Sequence, residues 1–150
     1  MSHSLNLLYI HYIYSTKNRK PLINEKFEQK LWAYKGGIAK QHSCLPIAIG
    51  GVEDHVHCLI RLSPIMNSSK LVQLIKGGSS KWVNDQFFPD RTFHWQKGCG
   101  AFTVSPSGVQ SLSRYIHNQK IHHKKVSFQK EFIWFLDRYK MQYNSESLFG

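Results

Sequence analysis

The chain has 150 residues, 41% hydrophobic and 13% aromatic, enough apolar material for one compact domain with its own core. Twenty Lys and Arg stand against nine Asp and Glu, a net charge of +11 that attracts polyanions in a salt-dependent way but equally serves solubility or nonspecific association. Cys44, Cys58 and Cys99 are odd in number and show no paired spacing, which excludes a disulfide scaffold and leads us to expect reduced thiols in the cytoplasm.

Leu5–Ser15 reads as a strand; its apolar run has no basic leader or small-residue cleavage site and is too short to cross a bilayer, so no membrane partner is expected. Lys17, Arg19 and Lys20 form a basic cluster in the loop that follows. A helix is expected over Asn24–His42, with Asn24 as N-cap and Phe27, Leu31, Trp32 and Ile38 spaced for burial. Then come strands Leu45–Gly51 and Glu53–Leu62, a helix Ser68–Asp85, a strand Gly100–Ser105, a helix Ser107–Lys124 and a terminal helix. This β-α-β-β-α-β order predicts an α+β fold of the ferredoxin-like, split βαβ kind: an antiparallel sheet with two helices on one face and the other face free.

Alternation along the fourth of these elements sets where its side chains point. Val56, Cys58, Ile60 and Leu62 fall on one apolar face; His55, His57, Leu59 and Arg61 share the other, more open one. At a rise of ~3.3 Å per residue the two histidine Cα atoms lie ~7 Å apart, close enough for both rings to meet one ion. A His-x-His pair alone is equally read as surface or hydrogen-bonded histidines.

In Ser107–Lys124, residues Leu112, Tyr115, Ile116, Gln119 and His123 follow helical spacing, so Tyr115 and Gln119 become neighbours on one face. A third ligand from Gln119 would complete two imidazole nitrogens and one amide oxygen with positions left open, as catalytic sites require. Such a set suits Mg²⁺ or Mn²⁺ engaged on a phosphate, although imidazole pairs also hold Zn²⁺, Co²⁺ or Ni²⁺. By itself, a tyrosine in an amphipathic helix is packing.

Lys76-Gly77-Gly78-Ser79-Ser80-Lys81 is expected to interrupt the helical run Ser68–Asp85, with small residues letting backbone N–H groups approach a phosphate and lysines flanking them. The plainer reading is a helix break with solvated serines. Trp82 and Trp95 are candidate stacking platforms or core residues, and His122-His123 reads as a further phosphate or metal contact or, more simply, as a solvated pair. Phe128, Glu131, Phe132, Phe135, Leu136 and Tyr139 form a stripe on the terminal helix that packs or joins a second copy.

Five segments in order resemble the single-tyrosine transposases of the His-hydrophobic-His nuclease class, encoded by small bacterial insertion sequences and related to the repeat-associated tyrosine transposases. They are Ser15 to Ile23, Gly51 to Ile60, Leu74 to Trp82, Trp95 to Ser105, and Tyr115-Ile116-His117-Asn118-Gln119 through His123. Cys99 departs from the aromatic residue expected there, and Glu53 from a small residue or proline. The resemblance implies His55, His57 and Gln119 as metal ligands and Tyr115 as the nucleophile. It implies a homodimer acting on single-stranded DNA with an imperfect hairpin, not on a small-molecule substrate. Lys17, Arg19, Arg61, Lys76, Ser79, Ser80, Lys81 and Arg114 are the expected DNA contacts. A metal-dependent nuclease using water, a non-catalytic single-strand binding module and a domesticated relative are the alternatives.

Overall fold

The structure is a computed structural model and describes residues 5–143. Four strands, β1 (Tyr9–Ser15), β2 (Leu45–Val52), β3 (His55–Arg61) and β4 (Gly100–Val104), form one antiparallel sheet in the order β2-β3-β1-β4. Helices α1 (Glu28–Gln41) and α2 (Ser68–Phe87) connect β1 to β2 and β3 to β4, giving the expected α+β, ferredoxin-like arrangement. After β4 come α3 (Val109–His117), the single turn α4 (Gln119–His122) and α5 (Phe128–Arg138). No described helix is long and apolar enough to cross a membrane.

Strand alternation divides the core in two. Val56, Cys58 and Ile60 point into the main core with Leu31, Trp32 and Ile38 of α1 and Leu71, Val72 and Ile75 of α2. On the opposite face Ala48 and Leu59 meet Ile116 of α3, while Ile13 and Phe102 meet Phe128, Phe132, Phe135 and Leu136 of α5. That second face is therefore covered, not free, and Phe128, Phe132, Phe135 and Leu136 of the terminal helix's stripe pack on their own sheet. Each of these α5 side chains contributes roughly 1.5–3 kcal/mol of burial, which seats the helix firmly.

Several boundaries differ from those expected. Asn24 Oδ1 accepts from Lys26 N in a turn, and α1 begins only at Glu28. α2 runs unbroken through Gly77 and Gly78. A Cβ at Gly78 would lie 2.8 Å from Ile38 Cδ1, so this glycine serves the close approach of α1 and α2 rather than a break. The backbone N–H groups there are consumed by the helix's own hydrogen bonds and cannot cradle a phosphate. The expected helix Ser107–Lys124 is bent at Asn118, where the Asn118 N–H bonds back to Arg114 and Tyr115 carbonyls and separates α3 from α4.

Two glycines of β2 fix how the second face is built. A Cβ on Gly51 would stand 2.1 Å from the His55 carbonyl oxygen, so the β2–β3 hairpin closes only with glycine there. A Cβ on Gly50 would stand 2.8 Å from the Ile116 carbonyl oxygen, so α3 lies directly on the bare backbone of β2.

Candidate active site

Adjacent alternate positions of β3 bring His55 and His57 to the covered face, and both are fully buried. Each ring is held at Nδ1: His55 by Asp54 Oδ1 at 2.8 Å, His57 by His11 Nε2 of β1 at 2.8 Å. Both Nε2 atoms are thereby turned toward one centre, the arrangement that orients metal-ligating imidazoles elsewhere. His11 has no counterpart in the sequence reading. Its one available signal is a histidine at an inward position of a buried strand.

The centre is shared by three C-terminal contributions. Gln119, at the start of α4 and 1% exposed, places its Oε1 3.1 Å from His55 Nε2. His123, one turn later, has its Nε2 2.9 Å from the same atom, so half of the supposedly solvated His122-His123 pair faces inward. Glu131 of α5, 2% exposed, spans the site. Its Oε1 lies 2.9 Å from His57 Nε2 and 3.4 Å from His55 Nε2, while Oε2 lies 3.2 Å from His123 Nε2 and 3.3 Å from His122 Nε2. Gln119 Nε2 donates to Oε2 at 3.3 Å.

Tyr115 enters the same cluster from α3. Its hydroxyl donates to Glu131 Oε2 and stands 2.9 Å from His122 Nε2. The bend at Asn118 does not separate it from Gln119; both side chains reach Glu131 Oε2. The ring is half-buried and borders a cavity of about 390 Å³ lined with His122, Val126, Lys130, Glu131 and Trp134. This cavity gives the phenol access to solvent, and the indole of Trp134 is 55% exposed there.

The electrostatics follow from gathering four imidazoles, two of them fully buried, around one buried carboxylate. Burial opposes ionisation of Glu131, but His57, His123 and His55 outweigh it and hold the carboxyl well below the usual carboxylate range. Burial lowers the His55 imidazole, yet its bonds to Asp54 and Glu131 prevail and push it up to about 9. His57 and His11 are lowered, chiefly by burial. Burial and the neighbouring Glu131 carboxylate raise the Tyr115 phenol, so it remains protonated and donates.

His55, His57, His123 and Glu131 offer three imidazole nitrogens and one carboxylate oxygen, all within 4.8 Å of one another. Those donors fit a divalent ion with Gln119 Oε1 close by, and they lean toward Mn²⁺ more than the two-histidine set read from sequence, because Mg²⁺ favours oxygen.

The expected DNA contacts are dispersed. Lys17 and Arg114 are exposed, and Arg19 and Arg61 are half-buried, with one Arg61 Nη donating to the Asn6 carbonyl at 3.1 Å. Lys76 donates to the Gly98 carbonyl at 2.7 Å, Ser80 to Gly77, and exposed Lys81 pairs with Asp85 at 2.7 Å. Ser79 is buried and accepts from Trp95 Nε1 at 3.0 Å, so its hydroxyl is not presented to solvent. All four α2 residues lie in the helical layer opposite the histidines. Trp95 belongs to the core and Trp82 is stacked on Tyr34 at 4.9 Å, which leaves neither free as a platform.

No curated protein matches the chain. Among solved structures, a candidate transposase from Deinococcus radiodurans R1 is 24% identical with a TM-score of 0.64, covering 79% of this chain and 95% of its own. A REP-associated tyrosine transposase bound to a REP hairpin is 15% identical with a TM-score of 0.61, covering 84% and 76%. At these identities the likeness establishes the fold. The model of the family described as "Transposase IS200 like" matches residues 4–119, from before β1 to Gln119, and the chain belongs to that family.

Proposed function

We propose that the protein cleaves and rejoins single-stranded DNA by metal-assisted tyrosine transesterification, with Tyr115 as nucleophile and His55, His57 and Gln119 among the ligands of a Mn²⁺ or Mg²⁺ ion. What supports this reading most is the convergence, within one chain, of the Tyr115 hydroxyl with a cluster whose donors suit such an ion. The ion, when bound, supplies charge neutralisation at the scissile phosphate and at the departing oxygen.

Tyr115 Oη attacks phosphorus, the P–O3′ bond breaks, and the products are a 5′-phosphotyrosine and a free 3′-hydroxyl. The bond energy is conserved in the phosphotyrosine, so the strand can be rejoined without a nucleotide cofactor. The phenol proton, donated to Glu131 in the resting site, passes on attack to the imidazole of His122, whose Nε2 lies 2.9 Å from the hydroxyl and whose pKa burial holds below the ordinary value, while the departing 3′ oxygen takes its proton from solvent.

Substrate access is through the cavity beside Tyr115, where Trp134 offers a stacking face and exposed Lys130 a phosphate contact. The hairpin-bound relative favours a hairpin-bearing strand as substrate. Lys17, Arg19, Arg61 and Arg114 remain the basic contacts of this reading in a cytoplasmic protein of net charge +11. The homodimer implied by the resemblance would serve exchange of strands, since Tyr115 already reaches the histidines of its own chain.

The test is incubation with Mn²⁺ and labelled single-stranded oligonucleotides from the ends of the protein's own locus, followed by denaturing gels. A metal-dependent protein–DNA adduct absent from Tyr115→Phe is expected. Cleavage that survives in Tyr115→Phe would instead establish a hydrolytic nuclease, and binding without cleavage a binding module.

A further inference from the structure

We infer that Glu131 is a metal ligand of this site and the residue that aims Tyr115, so that α5 is part of the catalytic unit although it lies wholly beyond the segment shared with the family. This rests on the metal-assisted tyrosine reading above. The family match ends at Gln119, and Glu131 stands twelve residues later on a separate helix.

The first ground is burial. A carboxylate only 2% exposed is costly to desolvate unless charge and hydrogen bonds compensate it. Here it occurs within an otherwise apolar stripe, between Phe128 and Phe132, where a hydrophobic residue would serve packing better. Packing therefore does not account for it.

The second ground is how its two oxygens are divided. Oε1 faces the paired histidines, 2.9 Å from His57 Nε2 and 3.4 Å from His55 Nε2. Oε2 takes the Tyr115 hydroxyl and Gln119 Nε2. One carboxylate thus bridges the donor atoms of the ion and the atom that attacks phosphorus, and it also turns Gln119 so that the amide oxygen faces His55. The seat is rigid, because Phe128, Phe132, Phe135 and Leu136 anchor α5 on Ile13 and Phe102.

Mn²⁺ binding without DNA, measured by isothermal titration calorimetry and by loss of the free-ion paramagnetic resonance signal, separates this role from a structural one. Wild type should bind one Mn²⁺ per chain. Glu131→Gln, nearly isosteric, should weaken binding tenfold or more; at saturating Mn²⁺ it should form adduct more slowly while its DNA affinity is retained. Glu131→Asp keeps the charge but withdraws it by one methylene, and it should also bind more weakly; this variant carries the test if Glu131→Gln does not fold.

Wild-type affinity in Glu131→Gln, or in Glu131→Asp where that variant carries the test, with binding lost in His57→Ala, would overturn the role of Glu131 and leave the metal-assisted reading intact. Absence of Mn²⁺ binding in wild type would overturn both.

Discussion

His11 Nε2 and His57 Nδ1 lie 2.8 Å apart across neighbouring strands, their rings stacked with centroids 5.1 Å apart. This contact decides which nitrogen of His57 faces the centre, since the one engaged by His11 is unavailable. His11→Phe should therefore preserve the strand while lowering Mn²⁺ affinity roughly 10–100-fold, the usual cost of losing such a support. Calorimetric titration checks it; unchanged affinity would show that His57 needs no orienting partner.

The donor set makes a prediction about the ion. Three imidazoles and a carboxylate should bind Mn²⁺ at least about tenfold more tightly than Mg²⁺, because Mg²⁺ gives up water reluctantly and favours oxygen. Competition of Mg²⁺ against bound Mn²⁺ measures the ratio, and equal affinities would count against imidazole ligation.

Gly50 sets the seat of the nucleophile's helix. Gly50→Ala drives a methyl group into the Ile116 carbonyl and should cost roughly 1–3 kcal/mol of stability. Because Ile116 follows Tyr115 directly, adduct formation should fall well beyond what the lost stability explains. Denaturant midpoints and adduct rates measured together test this; a variant as active as wild type would show that α3 tolerates displacement.

Tyr115 and His57 belong to one site within one chain, with ring centroids 5.8 Å apart. An equimolar mixture of Tyr115→Phe and His57→Ala proteins should thus form no adduct. Recovery of adduct in the mixture would mean that two chains share a site.

Lys35 lies on the other side of the sheet, fully buried, donating to the Tyr14 hydroxyl with its ammonium 4.1 Å from the Trp95 ring centre. Burial, the largest influence, lowers its pKa from 10.5 to about 8. The cost of that buried charge is fully present below pH 8 and is relieved as pH rises toward the unfolded value near 10.5. Stability lost to Lys35 should accordingly be regained between pH 8 and 10, and the margin by which Lys35→Met differs from wild type should shift by about 1–3 kcal/mol over that range. Urea unfolding at pH 7.5 and 9.5 measures it, and a margin independent of pH would contradict it.

The sheet, its connections, and the roles of local pattern were legible because alternation in Glu53–Leu62 and helical spacing in Asn24–His42 are local properties of the chain. His55, His57, Gln119 and Tyr115 were nameable through the resemblance carried by five ordered segments, since a His-x-His pair or a helical tyrosine alone reads equally as hydrogen bonding or packing. Glu131 was visible only as one member of an apolar stripe, and its meaning depended on α5 folding back over the face judged open. His11 and His123 were obscured similarly, since strand pairing and the bend at Asn118 decide where each points. Ser79 and the glycines of α2 misled because small residues serve close helix packing as readily as they serve phosphate binding.

The most direct test of transesterification by Tyr115 is to trap the adduct with Mn²⁺ and a hairpin-bearing oligonucleotide, digest the DNA and protein, and locate the nucleotide by mass spectrometry. A 5′-phosphorylated nucleotide on the side chain of Tyr115 is expected, with a free 3′-hydroxyl on the released strand. A nucleotide attached to another residue, or a cleaved strand with no modified peptide, would contradict it.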